Sequence, residues 1–261
     1  MRFNKTHCSL ILAAISAIAP TAYAALSVTP GVSANDLADA LIGPGVTRIG
    51  DAVYVGDIVS SGTFSNGLSV GSGRIGLDTG IVLTTGLASV AANATNTSDG
   101  TGGLERESTS LSFTFTSVDN FVMFRYVFAS EEYNQYVGDI FNDTFALRVD
   151  GTNIAFVPGT STPVAINSVN NNTNSAYYID NDFSDFGGSP PYGFEYNGFT
   201  TVLTASLSLS PGEHEIEFFV TDIGDLQLDS AVFLGAGSLV PEPSSALLGC
   251  MGLLGLLRRR R

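Results

Sequence analysis

Alternation of apolar and polar residues with a period of two sets the strongest limit on what this chain can become. Leu111, Phe113 and Phe115 alternate with Ser112 and Thr114, Leu203, Ala205, Leu207 and Leu209 run among serines and threonines, and residues 215–220 read Glu-Ile-Glu-Phe-Phe-Val. That period places every second side chain on one face, which suits half-buried strands and not helices. Residues 121–128 are apolar apart from Arg125, which predicts a central strand covered on both faces. Ser210-Pro211-Gly212-Glu213 reads as a hairpin turn, and Asp150-Gly151 as the turn joining residues 145–149 to residues 154–157. Gly, Asn and Ser crowd residues 92–103 and 167–175, the marks of polar loops, so the formal glycosylation sequons at 93–97 and 170–174 read as loop composition. One helix is predicted over residues 36–42, capped by Asn35 and ended by Gly43-Pro44. No repeat of fixed period stands out. The expectation is a mostly β chain: an antiparallel β-sandwich, jelly-roll-like, with one short N-terminal helix.

Both ends read as addresses. Residues 1–24 combine charged Arg2 and Lys5, an apolar run over 10–19 and the small-x-small site Ala22-Tyr23-Ala24, the pattern of a secretory signal handled by the Sec translocon and signal peptidase. An uncleaved anchor is the alternative, opposed by a run too short to span a bilayer. At the other end Val240-Pro241-Glu242-Pro243 leads to an apolar segment over 246–257 and then Arg258, Arg259, Arg260 and Arg261. Twelve helical residues reach only about 18 Å, short of the roughly 30 Å hydrocarbon core, so this segment is a weak membrane anchor with its arginines at the cytoplasmic face. Residues 240–261 closely resemble the PEP-CTERM sorting signal of Gram-negative bacteria: a Pro-Glu-Pro motif, a short membrane helix and an arginine tail in that order. The resemblance implies removal of the tail by an exosortase, a transpeptidase-like membrane enzyme, and passage to the cell envelope or the exopolysaccharide matrix. An ordinary tail anchor is the alternative.

Between the ends lies a domain expected to occupy residues 25–239. Residues 25–240 hold twenty-four Asp and Glu against Arg48, Arg74, Arg106, Arg125 and Arg148 and no lysine, a net −19 where the full 261 residues carry −14. Nucleic acid is excluded as a partner, because phosphate binding needs a basic face. The only cysteines, Cys8 and Cys250, sit in the end segments, so the domain has neither disulfide nor thiol chemistry.

Several segments of the domain resemble the choice-of-anchor L family. They are Phe128-Ala129-Ser130-Glu131-Glu132-Tyr133 with Phe141-Asn142-Asp143, Val157-Pro158-Gly159-Thr160 leading to Val164-Ala165-Ile166-Asn167, and Tyr196-Asn197-Gly198-Phe199-Thr200. Asp222-Ile223-Gly224-Asp225 followed by Leu228-Asp229-Ser230-Ala231-Val232-Phe233 completes the set. The resemblance spans about residues 35–238 and implies one extracellular domain presented on alternative C-terminal anchors, of which a PEP-CTERM tail is one. It implies no catalytic activity. Where many relatives carry Asp-Gly before a Phe-Thr strand, this chain has Asn197-Gly198.

Chemistry is concentrated in acidic groups. Glu131, Glu132, Asn142 and Asp143 form one, with Asp139 in the loop between them; Asp222, Asp225 and Asp229 form a second, and Asp180, Asn181, Asp182, Ser184 and Asp185 a third. Hard oxygen ligands where strands meet loops suit Ca²⁺, which takes six to eight oxygens. For the first group the competing reading is that a glutamate pairs Arg125 or Arg148 while Asp143 caps a turn. For the third, which lacks EF-hand spacing, it is a solvated acidic loop. His214 in His-Glu-Ile-Glu is read as a solvent-facing residue opposite Ile216. There is no Gly-x-Ser-x-Gly elbow, phosphate loop or zinc histidine pair, so no enzyme is expected; a glycosidase using two of Glu131, Glu132 and Glu195 is the remaining catalytic alternative. Tyr177, Tyr178, Tyr192, Phe194 and Tyr196 are candidate platforms for sugar rings, or aromatics packed beneath the loop. The reading that asks least of the sequence is an exported structural or adhesive protein of the envelope or biofilm matrix, calcium-stabilised, with exopolysaccharide as partner; a carbohydrate-binding sandwich is the alternative.

Overall fold

The computed structural model describes residues 25–68, 75–92 and 107–241. The secretory signal with Ala22 and Ala24, residues 93–97, and the tail from Glu242 through Pro243, 246–257 and Arg258 to Arg261 lie outside the described residues.

The strands are, in order, β1 (Ser27–Pro30), β2 (Val46–Val55), β3 (Ser61–Ser65), β4 (Gly80–Thr84), β5 (Ser108–Ser117), β6 (Phe121–Ser130) and β7 (Thr144–Val149). They continue as β8 (Thr152–Asn153), β9 (Tyr178–Asp180), β10 (Gly198–Thr200), β11 (Leu203–Ser208), β12 (Glu213–Thr221), β13 (Ser230–Gly235) and β14 (Val240–Pro241). They form two antiparallel sheets, as the alternation predicts. The larger runs β1-β3-β4-β13-β6-β10-β9 with β11 and β14 also on β6, and the smaller runs β2-β5-β12-β7-β8.

The sheets face each other across one core. Leu111, Phe113 and Phe115 of β5, Phe145 and Leu147 of β7, and Ile216 and Phe218 of β12 meet Phe124, Tyr126 and Phe128 of β6 and Val232 and Leu234 of β13. Ring contacts such as Phe124 with Phe218 at 5.0 Å and Tyr126 with Phe145 at 4.9 Å cross the gap. The large sheet is covered on its other face too: Val82, Val127, Ala129 and Phe233 pack there with Phe64, Phe194, Tyr196 and Phe199. Double coverage explains why β4 and β13 read as unbroken apolar runs and why residues 126–130 of β6 are all buried. Each large side chain so buried contributes about 1.5–3 kcal/mol.

Four expectations need correction. Ser33, not Asn35, caps the helix α1 (Ala34–Leu41), its hydroxyl accepting from Asp36 N at 3.2 Å. Asn35 instead accepts from Ala52 N at 2.8 Å, which ties the helix to the bulge in β2. The turn at Ser210-Pro211-Gly212 is not a hairpin: β11 pairs β6, whereas β12 pairs β5 and β7, so the turn carries the chain from one sheet to the other. Turn chemistry alone does not say whether the flanking strands bond to each other. The Asp150-Gly151 hairpin is present, but β8 has two residues, because Asn153 Oδ1 accepts from Leu147 N and Ala155 N and ends the ladder. His214 is 5% exposed on the same face as Ile216, since residues two apart in a strand share a face. Its Nδ1 lies 2.6 Å from Asp150 Oδ2 and its Nε2 2.8 Å from the Ser210 carbonyl.

Antiparallel pairing sorts the loops to two poles. Where β6 begins, Val122 and Met123 pair Pro241 and Val240 of β14, and α1 meets the same exit segment through Gly237 N to Ala40 O at 2.9 Å and Leu239 N to Leu41 O at 3.1 Å. The other pole collects the ends of β4, β6 and β12 and the beginnings of β7 and β13.

Candidate functional site

At that second pole, residues distant in sequence meet because register brings them together. Ser230 stands opposite Ser130, Ala231 opposite Thr84 and Thr221 opposite Thr144. Glu131 and Glu132 follow β6 directly, Asp222 follows β12, and Asp143 and Asp229 each precede a strand by one residue. The first and second acidic groups of the sequence therefore form one cluster. Glu131 and Glu132 are 1% exposed, Asp143 0%, Asp229 5% and Asp222 8%, and Asp225 is half-buried on the loop between β12 and β13.

The two adjacent glutamates engage different partners. Glu131 Oε2 accepts from Asp229 N at 3.1 Å, while Glu131 N donates to the Asp229 carbonyl at 3.1 Å. The Glu131 carbonyl accepts from Asn197 Nδ2 at 2.7 Å, so the Asn197 amide is a donor here. Tyr196, bonded to Thr84 at 3.2 Å, is pushed well above the ordinary phenol range, chiefly by burial and further by the charges of Asp229, Glu131 and Glu195.

Glu132 faces Asp143, Asp225 and Asp222. Burial, and then the charges of Asp143, Asp225, Asp222 and Glu131, push its carboxyl up to about 9. Its Oε2 is buried without a hydrogen-bond partner. Asp143 is better supported: Oδ1 accepts from Ile223 N at 2.8 Å and Oδ2 from the Ser230 hydroxyl at 2.7 Å. Burial raises its carboxyl to about 6, those two bonds hold it back, and Asp225 adds to the rise. A cavity of about 600 Å³ at this pole is lined by Glu107, Thr221, Asp222, Gly224, Asp225 and Leu226.

The arginines named as alternatives lie elsewhere. Arg148 donates to Glu217 at 2.6 Å because the two are directly opposite in the β7–β12 register, and Arg125 is exposed partway along β6. Asp143 does serve loop capping, through Ile223 N. Asn142 accepts from Asn167 N at 2.9 Å and so braces a neighbouring loop. Among the described residues no three His, Cys, Asp or Glu side chains stand in a group that could hold a metal ion.

The third acidic group is built around Asn134, which the sequence did not single out. Its Nδ2 donates to Asp180 Oδ1 at 3.1 Å and to Asp185 Oδ2 at 2.9 Å, its backbone N–H donates to Asp182 Oδ2 at 3.3 Å, and Tyr178 donates to its Oδ1 at 2.7 Å. Asp182 Oδ1 takes Ser184 N at 2.7 Å and its hydroxyl at 2.6 Å, so these carboxylates are engaged in holding the loop.

The aromatic candidates divide. Phe194 and Tyr196 are buried in the second core, where Phe194 packs edge-on against Phe199 at 4.7 Å, which corrects their placement as platforms. Tyr192 is half-buried against Phe199 at 5.0 Å, and Tyr177 and Tyr178 are half-buried against the main core. The exposed rings are instead Phe183 and Phe186, at 37% and 41%. No period in the sequence marks them, since they stand in a loop.

Comparison with known proteins adds two matches. A family model described as the choice-of-anchor L domain matches residues 28–240, and one described as the PEP-CTERM protein-sorting motif matches residues 239–261. No curated protein matches the chain. A crystal structure of the enzymatically active domain of tailspike protein 4 from bacteriophage CBA120 aligns at 16% identity with a TM-score of 0.23, over 79% of this chain and 21% of the other. The chain thus spans about a fifth of that structure's length, and a likeness this slight carries no argument.

Proposed function

The chain belongs to the choice-of-anchor L family, its sorting motif marks it for exosortase processing and export to the cell envelope or extracellular space, and from that premise we propose that it is a displayed structural or adhesive protein. One observation carries this reading. The chain leaves the sandwich at Pro241, the first residue of Pro-Glu-Pro, while still bonded to Val122 at the start of β6. The carboxylate cluster sits past the far end of the same strand, roughly 30 Å away at the usual rise per residue. A domain held by its tail at one pole presents the other pole outward, toward matrix polymers or neighbouring cells. In this reading Sec and signal peptidase act first, the tail anchors the chain in the inner membrane until the exosortase acts, and exopolysaccharide is the partner.

Calcium is the finer part of the proposal, as stabiliser of the outward pole: buried carboxylates facing one another repel without a counter-charge. A glycosidase has less support, because Glu131, Glu132 and Glu195 are each about 1% exposed, where a saccharide does not reach. Carbohydrate binding has one observation in its favour, the exposed Phe183 and Phe186 on a loop held by Asn134; sugar faces stack on such rings.

Intact mass of the protein recovered from the envelope and matrix of the producing strain tests the sorting step: the expected species lacks Arg258 to Arg261, and one retaining Arg261 overturns it. Loss of cell cohesion on deletion of the gene, restored by the wild-type chain, tests the adhesive role. Pull-down on the strain's own exopolysaccharide, with Phe183→Ala as the variant, separates binding from passive structure.

A further inference from the structure

Resting on the calcium-stabilised reading above, we infer that the two acidic groups separated by some ninety residues in the sequence are a single calcium site at the outward pole, anchored by Glu132 and completed by Asp143, Asp222 and Asp225. Glu132 is the decisive residue. It is 1% exposed, its Oε2 has no hydrogen-bond donor, and the groups it faces are carboxylates. A buried carboxylate oxygen in that position satisfies neither of the usual requirements, a donor or a cation. Asp143 beside it is fixed by Ile223 N and the Ser230 hydroxyl, which leaves one further lone pair on each oxygen for a metal.

The donor chemistry narrows the ion. Every candidate ligand is a carboxylate oxygen, with no Cys or His among them, which selects hard cations over zinc or copper. Ligands drawn from three separate strand ends, one of them on a loop, suit the irregular six- to eight-oxygen shell of Ca²⁺ better than the strict octahedron of Mg²⁺. Asp222 and Asp225 line the cavity at this pole, which supplies the entry path and room for coordinating water. Asp225 completes the set from the loop between β12 and β13, where it is half-buried, follows Gly224 at φ +116° and accepts from Gln227 N at 3.1 Å. Glu131 Oε2 is outside it, taken by Asp229 N, and the Asp229 carboxylate lies against Gly86.

The experiment is calcium titration of the chelator-treated exported protein by calorimetry, with melting temperature read in Ca²⁺, in Mg²⁺ and in chelator. Expected are one Ca²⁺ per chain, a rise in melting temperature with Ca²⁺ and a smaller one with Mg²⁺. Glu132→Gln keeps the side-chain volume and removes the charge, so its melting temperature in chelator is no lower than wild type, while its calcium affinity falls at least about tenfold. Asp225→Asn, at a half-buried position on the loop between β12 and β13, gives the same loss of affinity and keeps the test open should the Gln variant fail to fold. Asp185→Asn binds calcium as wild type does. If wild type responds to calcium but Glu132→Gln and Asp225→Asn respond equally, this site is wrong and the calcium-stabilised reading stands with its ion elsewhere. If wild type shows no response, both fall.

Discussion

Ser230 donates its hydroxyl to Asp143 Oδ2 at 2.7 Å and so fastens the first residue of β13, in the large sheet, to the residue that precedes β7 in the small one. Both groups are fully buried. Ser230→Ala leaves the buried Asp143 with one donor fewer, which costs about 1–3 kcal/mol. Urea unfolding in chelator measures it, and an unchanged midpoint removes the bond from the account of stability.

Acid strengthens this fold where it weakens most. Asp143 rises from 3.8 to about 6 and Glu132 from 4.5 to about 9 on folding. Both carboxyls hold protons more tightly folded than unfolded, so their contribution is complete below their unfolded values and is lost as pH climbs through the folded ones. In chelator the urea midpoint therefore falls from about pH 5 to about pH 9, and in Glu132→Gln the decline above pH 6 shrinks to the part that His214 contributes. A midpoint that rises across that interval contradicts the assignment.

His214 is the sole histidine of residues 25–241, the other being His7, so its ring titrates alone in NMR spectra of the processed domain. The Asp150 carboxylate, and then the Ser210 carbonyl, raise it above the ordinary 6.5, so the stability it lends is present below that value and lost as pH passes the raised one. Asp150→Asn brings the titration back toward 6.5 without disturbing the turn, because Asn accepts the φ of +50° that Asp150 adopts. A titration at the wild-type position in that variant excludes Asp150 as the cause.

A Cβ on Gly86 would overlap the Asp229 carboxylate. Gly86→Ala therefore displaces the partner of Glu131 and is expected to cost at least about 2 kcal/mol. Thermal melting checks it; a variant as stable as wild type shows that the Asp229 side chain has somewhere else to go.

The period of two was enough to read the sandwich from the sequence, because each strand with one covered face declares it. The central strand was legible for a different reason: β6 is apolar apart from Arg125 over residues 121–128, and its residues 126–130 are buried while Arg125 is exposed. Partnership was not legible. Ser210 to Glu213 looks the same whether it closes a hairpin or passes between sheets, and Glu132 and Asp222 come to one pole because β6 and β12, in different sheets, end on the same side of the sandwich. Asn134, the centre of the Asp180 loop, is one asparagine among many in this composition, and its role follows from four hydrogen bonds that no spacing encodes. The family motifs did converge: Glu131 to Tyr133, Asn142-Asp143 and Asp222 to Ser230 are the segments that the sequence marked, and they surround one point.

The exit strand also determines how the molecule bears load. β14 runs antiparallel to β6, so a pull on Pro241 directed away from the carboxylate pole acts along the strand axis and strains its bonds to Val122 and Met123 together. The helix shares the tension, since Leu239 and Gly237 are tied to Leu41 and Ala40, and a side chain on Gly43 would collide with Val240 at that junction. Tether and core are thus spliced in shear, and drag on a displayed domain is passed directly into its central strand.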